Sequence, residues 1–322
     1  MDILLAHGWF LGDDPHERAV MKPYPPLGLL YISAYLKQQG YAVGVFDSTF
    51  ASLADYEALL AAERPAVVGL YATLMTKPQV LHMMRLAKQA GAWVVLGGPE
   101  PPHYAEEYLW RGADVVVIGE GEYTLDELVP VLQAGGARAA LRTVQGVAFL
   151  DESGALVRTD PRPYISDLDS LPPPDRAAID IPAYLDAWKT HHGASSLNLI
   201  GARGCPYTCT WCSHSVFGES HRRHSPARLA EDVAAIVADY SPDQLWYVDD
   251  VFTINHRWLK QYAHELAERG LRVPFECISR ADRLNDGIID LLAEMGCQRR
   301  WIGAESGSQR ILDAMQRKAD AP

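Results

Sequence analysis

The sequence predicts an α/β protein in which a doubly wound sheet domain precedes a partial barrel of βα units. Short β-branched apolar runs alternate with amphipathic helical patterns over the first 135 residues, and the alternation resumes after a proline-rich stretch. Strands that alternate with helices of roughly 10–15 residues are typical of parallel sheets covered by helices. A chain of 322 residues is long enough for the two domains that this pattern indicates.

The first domain is expected to span residues 1–140. Its strands are predicted at 3–6, 42–46, 66–71, 93–96 and 114–118, and its helices at 27–39, 53–62, 78–90 and 123–133. Ligands of such sheets bind beyond the carboxyl ends of the strands. Glycines follow two of these ends, as Gly97-Gly98-Pro99 and as Gly119-Glu120-Gly121-Glu122. Glycine there allows a tight turn and a close approach of the backbone to a bulky ligand.

Residues 141–190 are interpreted as a β-hairpin followed by an extended crossing between the domains, because prolines 172–174 favour an extended chain. The second domain then spans 191–322, in the style of a parallel barrel. Its strands are predicted at 197–202, 244–248, 275–279 and 299–303, and its helices at 226–240, 256–269, 286–294 and from about Ser308 onward.

Composition excludes several classes of function. The net charge of -12 argues against a broad nucleic-acid footprint, which needs clustered Lys and Arg. No apolar run approaches the roughly 20 residues that span a bilayer, so no membrane span is expected. The N-terminal run MDILLAHGW lacks a basic leader and reads as a first strand, which predicts a cytoplasmic protein.

Three of the five cysteines form the strongest chemical signal in the chain. Cys205, Cys209 and Cys212 have the spacing C-x3-C-x2-C just after a predicted strand. Thiolates are soft ligands suited to iron–sulfur clusters or zinc. Three ligands leave one iron of a four-iron cube open, which suits a cluster that activates a substrate. The alternative is structural zinc with His214 as the fourth ligand.

The remaining two cysteines are interpreted differently. Cys277 lies within a predicted strand, and Cys297 follows the helix-ending Gly296. Both are expected to be packing residues, because free cysteine often behaves as a small buried apolar side chain.

The cysteine loop after the first strand of a βα barrel resembles the radical S-adenosylmethionine (SAM) superfamily. The resemblance implies a [4Fe–4S] cluster on the three cysteines, whose open iron binds SAM, and reductive cleavage of SAM to a 5′-deoxyadenosyl radical. It also implies further contacts with SAM from residues beside the third cysteine and at the following strand ends. These residues are Trp211, Asp249, Asp250, Arg280 and Glu305. Their ordinary alternatives are caps, loop residues and surface ion pairs.

The N-terminal glycine pattern resembles the Rossmann-like cobalamin-binding domain that is fused to one branch of that superfamily. The ordered set Pro25-Pro26-Leu27-Gly28-Leu29, Gly97-Gly98-Pro99 and Gly119-Glu120-Gly121-Glu122 carries this resemblance. A generic nucleotide-binding domain is the alternative, although G-x-G-x-x-G is missing from the first loop. The resemblance implies cobalamin contacts from two glycine turns and the loop after the third strand. The implied residues are Tyr71, Thr73, Leu74, Gly97, Gly98, Gly119, Glu120 and Gly121.

The cobalt is expected to have no histidine ligand from this chain. The segment Asp14-Pro15-His16 only partly matches the D-x-H-x-x-G motif that supplies such a ligand, because Ala19 stands where the glycine belongs. His7 and His16 are interpreted as ordinary strand-end and loop residues.

The resemblance leaves more than one reaction open. Methyl transfer to a substrate carbon is the first hypothesis, and an oxidative cyclisation like that of the anaerobic Mg-protoporphyrin monomethyl ester cyclase, or another radical rearrangement, is the second. A non-catalytic cobalamin or cluster sensor is the alternative of another class, disfavoured by the open iron. The expected partners are a small-molecule substrate and an electron donor such as flavodoxin or ferredoxin.

One feature departs from the family. A radical SAM barrel usually has six βα units, and four are predicted here. The fourth strand would then be an exposed edge, which natural proteins normally cover. We expect either a truncated form that lacks substrate-binding residues or another segment that completes the sheet.

Overall fold

A computed structural model of the chain describes residues 1–214 and 216–319. The chain divides into two compact units. Unit 1 contains residues 1–165 and 171–180, and unit 2 contains residues 166–170 and those from 181 onward. Each unit is built on a sheet with helices, so the predicted α/β class is confirmed.

Unit 1 contains one seven-stranded sheet. Its strands are β1 (Ile3–His7), β2 (Val43–Phe46), β3 (Val67–Tyr71), β4 (Trp93–Gly97), β5 (Val115–Val117), β6 (Val147–Leu150) and β7 (Leu156–Arg158). The order is β2-β1-β3-β4-β5-β6-β7, and the first five strands run parallel. In a doubly wound sheet of this order, the strand connections change direction between β1 and β3, and ligands bind beyond the carboxyl ends there.

The helices of unit 1 cover this sheet. They are α1 (Pro15–Val20), α2 (Leu27–Gln38), α3 (Leu53–Glu63), α4 (Lys77–Gln89), α5 (Ala105–Trp110), α6 (Glu122–Gln133) and α7 (Arg138–Leu141). Strand side chains alternate between the two sheet faces, so Leu4 and Ala6 belong to one buried cluster and Ile3 and Leu5 to another. Burial on both faces explains why these strands are continuous apolar runs.

The predicted hairpin extends the sheet of unit 1. β6 pairs antiparallel with β5, and β7 pairs antiparallel with β6. Gly146, just before β6, has a positive φ of 73°, and its carbonyl accepts a hydrogen bond from Ile118 N at 2.8 Å. The hairpin therefore lies in the first unit, although the sequence had placed residues 141–190 between the domains.

Unit 2 contains a four-stranded parallel sheet with the strands β8 (Ser196–Leu199), β11 (Gln244–Tyr247), β12 (Phe275–Ser279) and β13 (Cys297–Ile302). The strand order is β13-β12-β11-β8. A separate ribbon pairs β9 (Ala202–Arg203) with β10 (Arg222–Arg223). The helices are α8 (Ile181–His192), α9 (Pro226–Tyr240), α10 (His256–Glu268), α11 (Asp286–Met295) and α12 (Gln309–Ala314).

The predicted first strand of this sheet is shorter in the structure. The prediction of one strand over 197–202 was wrong, since β8 ends at Leu199 and the chain turns at Gly201 before pairing with β10. The amide of Gly201 donates to the carboxylate of Asp249 at 2.6 Å. The turn is thus stabilised by a side chain far along the chain, which local patterning does not reveal.

Aromatic side chains fill the layer between this sheet and α10. Five buried rings contact one another in tilted, edge-to-face or stacked arrangements, and they belong to Tyr247, Phe252, Trp258, Tyr262 and Phe275. The hydroxyls of Tyr247 and Tyr262 are 2.6 Å apart, so the two buried hydroxyls form a hydrogen bond with each other.

Over residues 1–214 and 216–319, no helix is long and apolar enough to cross a membrane.

Candidate functional site

The three clustered cysteines lie in one loop of unit 2, between β9 and β10. The pairing of Arg203 with Arg222 holds the two ends of the loop together. Gly204 begins the loop with a φ of 82°, and a Cβ at this position would overlap the carbonyl oxygen of Ser220. Only glycine fits this close approach. The sequence Gly204-Cys205 therefore starts a closed loop in which all three thiols belong to one segment.

The three thiols differ in exposure and are all free. Cys209 is buried, Cys205 is half-buried and Cys212 is exposed. Burial raises the pKa of the Cys205 thiol, and the charges of Asp250 and the other two cysteines raise it further. Three thiols that repel one another as thiolates need a cation or a metal cluster to be held together in that form.

The chemistry of the three thiols suits a metal site, since thiolates bind both zinc and iron–sulfur clusters. In the described part of the chain, no three His, Cys, Asp or Glu side chains stand close enough together to hold one metal ion. A zinc site made of three cysteines and one histidine places four donors around one ion, whereas in a four-iron cube each thiolate binds a different iron.

Two guanidinium groups approach the buried Cys209 sulfur. Nη1 of Arg280 lies 3.7 Å from Cys209 Sγ, and Nη1 of Arg317 lies 3.8 Å from it. Arg280 is 1% exposed, its Nε donates to Asp282 Oδ1 at 2.8 Å, and its guanidinium lies 3.8 Å above the ring of Tyr207. This places the predicted Arg280 beside the cysteine loop. Arg317 was not singled out from the sequence.

The adjacent acids Asp249 and Asp250 have different surroundings. Asp249 is fully buried, and its carboxylate accepts from Gly201 N at 2.6 Å and pairs with Arg223 Nη2 at 2.8 Å. Asp250 is exposed, although partial desolvation and the charge of Asp249 raise the pKa of its carboxyl. Asp249 therefore joins three segments of unit 2, while Asp250 is the acid that a ligand can reach.

Two histidines near Asp250 carry unpaired polar atoms. Burial and the charge of Asp249 raise the pKa of Asp250, and the charges of His214 and His221 oppose this rise only in part. The Nε2 atoms of both are buried without a hydrogen-bond partner among the described residues. Buried polar atoms normally have a partner, so these two nitrogens could accept or donate a hydrogen bond to a ligand or an ordered water.

Trp211 and Glu305 are the remaining residues of unit 2 that the sequence predicts as SAM contacts. Trp211 is 55% exposed, which is unusual for a large aromatic side chain and leaves its ring free to contact a ligand. Glu305 has a left-handed backbone with a φ of 62°, and its carboxylate lies 3.6 Å from Arg317 Nη2. A non-glycine residue in this conformation stores strain, which is common at functional sites.

The predicted residues of unit 1 all lie at or just after the carboxyl ends of β3, β4 and β5. Tyr71 ends β3, and Thr73 and Leu74 lie in the next loop, where Leu74 is 70% exposed. Its neighbour Met75 is 84% exposed. An exposed apolar loop at the ligand-binding edge of a parallel sheet indicates an apolar ligand surface.

The glycine turns at this edge have two different roles. Gly98 has a φ of 108°, and a Cβ there would lie 2.5 Å from the carbonyl oxygen of Ala72. Gly97 has an ordinary φ, and a Cβ there would meet no atom within 4 Å. The fold therefore requires glycine at Gly98, whereas it leaves open space at Gly97.

The turn after β5 is also partly structural. Gly119 has a φ of 90°, and a Cβ on Gly121 would lie 2.7 Å from Ile32. Glu120 is buried, and its carboxylate accepts from Ile165 N at 2.8 Å. The Glu120 carboxylate thus holds Ile165, which follows the β6–β7 hairpin, against the turn after β5.

The two N-terminal histidines have structural partners. The Nε2 of His7, at the end of β1, lies 2.9 Å from Asp47 Oδ1, and its Nδ1 lies 2.9 Å from Ser48 Oγ. His16 lies in the first turn of α1, where Asp14 caps the helix by accepting from the amides of His16 and Glu17. The partial D-x-H pattern is therefore a helix N-terminus with Pro15 at its first position.

Comparison with known families assigns a domain to each unit. Residues 19–129 match the B12 binding domain, and residues 199–321 match the radical SAM superfamily. The first match covers α2 to β5 with both glycine turns, and the second begins just before the cysteine loop.

Similar curated proteins include methyltransferases and cyclases. An uncharacterized methyltransferase of Pyrococcus horikoshii is 29% identical over 92% of this chain and 64% of its own length. The anaerobic magnesium-protoporphyrin IX monomethyl ester cyclase of Rubrivivax gelatinosus is 27% identical over 92% of this chain and 54% of its own length. The hopanoid C-3 methylase of Methylococcus capsulatus is 27% identical over 87% and 53%. The chain thus spans between about half and two thirds of these relatives.

Solved structures share the fold. The cobalamin-dependent SAM radical enzyme OxsB, bound to aqua-cobalamin and SAM, has a TM-score of 0.81 at 20% identity, over 99% of this chain and 46% of its own. The radical SAM methyltransferase TsrM of Kitasatospora setae, with cobalamin and a [4Fe–4S] cluster bound, has a TM-score of 0.77 at 19% identity, over 98% and 60%.

Proposed function

We propose that this chain, in which a B12-binding domain precedes a radical SAM domain, is an enzyme that cleaves SAM at a [4Fe–4S] cluster and uses cobalamin to methylate a substrate carbon. The observation that carries the proposal is the closed loop with Cys205, Cys209 and Cys212, in which two guanidinium groups contact the buried Cys209 sulfur. The methyltransferases among the relatives support methyl transfer.

The residues of unit 2 would have three roles, which are binding the cluster, contacting SAM and positioning the residues that do so. The three cysteines would bind three irons and leave the fourth for SAM. When bound, the cluster would supply the electron that splits SAM, and cobalamin would carry the methyl group. We assign the outer contacts with SAM to Trp211 and Asp250, because both are exposed beside the loop. Asp249 and Arg280 would position this surface from behind, because their polar groups pair within the protein.

In unit 1, cobalamin would lie beyond the carboxyl ends of β3, β4 and β5. Tyr71, Thr73 and Leu74 would contact it from one loop, and the backbone of the glycine turns at Gly97 and Gly119 would approach it from the others. Both ring nitrogens of His7 contact side chains of the protein. This geometry supports cobalamin without a histidine ligand from β1.

Replacements of Gly97 and Gly98 by alanine distinguish an effect on cobalamin binding from an effect on protein stability. In Gly97→Ala, the added methyl group meets only open space, so the free energy of unfolding should change by less than about 0.5 kcal/mol. Affinity for hydroxocobalamin should fall by about tenfold or more, since one misplaced methyl group costs roughly 1–3 kcal/mol in a close contact. Equilibrium dialysis and urea denaturation measure the two effects.

The control replacement is Gly98→Ala. Its positive φ and its contact with Ala72 O should lower the free energy of unfolding by about 1–3 kcal/mol. Native affinity of Gly97→Ala for hydroxocobalamin would contradict the proposed contact at β4.

The proposed enzymatic activity is tested on the chain after anaerobic reconstitution with iron and sulfide. With SAM and dithionite, the reconstituted protein should form 5′-deoxyadenosine or S-adenosylhomocysteine. Absence of both products from a protein that holds its cluster would favour the non-catalytic sensor.

Oxidative cyclisation is the second candidate, because the cyclase of Rubrivivax gelatinosus matches as much of this chain as the first methyltransferase does. SAM with a labelled methyl group distinguishes the two reactions. Label in the organic product supports methyl transfer, whereas an unlabelled product with a new ring supports cyclisation. The substrate would be a small molecule in either case.

The electron would come from a small reducing protein such as a flavodoxin or ferredoxin. The five free cysteines and the proposed cluster favour a reducing compartment, and we place the protein in the cytoplasm on that ground. Replacement of dithionite by reduced flavodoxin in the same assay tests the donor.

A further inference from the structure

Cys209 differs from the other two cysteines in its electrostatic surroundings. Its sulfur lies within 3.8 Å of nitrogens from both Arg280 and Arg317, which are 1% and 9% exposed. The Cys205 thiol instead has the charge of Asp250 nearby. Both arginines therefore place a positive charge against Cys209, in a buried place where charges interact more strongly than in water, and the charge of Arg317 also acts on the Cys212 thiol.

Arg317 reaches this position because the chain returns to the cysteine loop after α12. The amide of Thr210 donates to Met315 O at 3.1 Å, and Arg280 Nη2 donates to Arg317 O. The other end of the Arg317 guanidinium is fixed, since its Nη2 donates to Gly303 O at 2.7 Å. Backbone and side-chain contacts thus hold Arg317 against Cys209 from two directions.

Building on the proposed function, we infer that Arg317 is a positioning residue that donates a charge-assisted hydrogen bond to the Cys209 thiolate and raises the reduction potential of the cluster. Reduction adds one negative charge to the cluster. A fixed cation beside a ligand sulfur stabilises the reduced form more than the oxidised form. Arg280 contributes in the same direction, and the Glu305 carboxylate, 3.6 Å from Arg317, moderates the effect.

The inference is tested by a redox titration of the reconstituted protein, followed by the EPR signal of the reduced cluster. Arg317→Gln should shift the midpoint potential to a more negative value. Arg317→Lys should shift it less, because the ammonium keeps the charge but loses the forked contact with Gly303 O and Cys209 Sγ. The matched control is Arg310→Gln, which removes the same charge from an exposed position on α12 and should leave the potential unchanged. A native potential in Arg317→Gln overturns the inference.

A second measurement starts from the native sequence, so its main outcome does not require a variant that folds. In protein labelled with [15N]arginine, pulsed EPR of the reduced cluster should detect hyperfine coupling from guanidinium nitrogen. Arg317→Lys should lose part of that coupling, and Arg310→Gln should keep all of it. No arginine coupling in the native protein overturns the inference.

Different results would refute the proposed function and the role of Arg317. If the native chain and Arg310→Gln both hold no cluster after reconstitution, the proposed function itself is wrong. If both hold a cluster that cleaves SAM while Arg317→Gln has their potential, only the role of Arg317 is wrong.

Discussion

Replacement of Cys209 by alanine is expected to reduce bound iron and sulfide to the level of the unreconstituted protein and to abolish SAM cleavage. Cys209 would supply one of three protein ligands, and a cube held by two thiolates is readily lost. The substitution also leaves the buried guanidinium groups of Arg280 and Arg317 without the thiolate between them. Iron and sulfide analysis, the visible absorbance of the cluster and 5′-deoxyadenosine formation measure the loss.

The matched control for this prediction is Cys297→Ala. Cys297 is also buried, but its sulfur lies 4.0 Å from Cys277 Sγ in the layer between strands β12 and β13, where both act as packing residues. Removing that sulfur should cost about 1 kcal/mol of stability and leave the cluster intact. Full iron content in Cys209→Ala, or equal losses in both variants, would refute the assignment of the loop as the cluster site.

Most strand positions of both units could be predicted because they depend on local pattern, and the exception is the strand predicted over 197–202. Fully buried parallel strands are continuous apolar runs, as in Ile3–His7 and Val67–Tyr71, and their helices alternate with them. The cysteine loop was equally visible, since one short segment contains all three of its cysteines. The positions of the glycine turns followed from the same strand ends, although the separate roles of Gly97 and Gly98 required the structure.

Features that depend on distant contacts could not be predicted. Asp249 and Asp250 are identical in chemistry and adjacent in sequence, yet one is buried against Arg223 and Gly201 and the other is exposed. Arg317 is 108 residues from Cys209, and only the return of the chain after α12 brings the two together. No local period or spacing encodes either arrangement, because each arises from the packing of several strands and loops.

Replacement of Asp249 by alanine is expected to lower the free energy of unfolding of unit 2 by about 3–5 kcal/mol, because it breaks a buried ion pair from one side. Arg223 would keep its charge while its side chain is only 7% exposed, and its remaining contacts include Phe252 O at 2.9 Å and the Trp258 ring at 4.1 Å. The amide of Gly201 would lose its acceptor as well. Hydrogen exchange of β8 and β11 peptides in urea reports this unit separately from unit 1.

The neighbouring Asp250→Ala distinguishes support from ligand binding. Asp250 is exposed, so its removal should change the free energy of unfolding by less than about 0.5 kcal/mol. If Asp250 contacts SAM as proposed, this variant should lose affinity for SAM while keeping its fold and its iron. The opposite pattern, with weak SAM binding in a stable Asp249→Ala protein, would show that the buried acid contacts the ligand. In that case Asp249 would be the residue that contacts SAM, and the assignment of this contact to Asp250 from its exposure would be wrong.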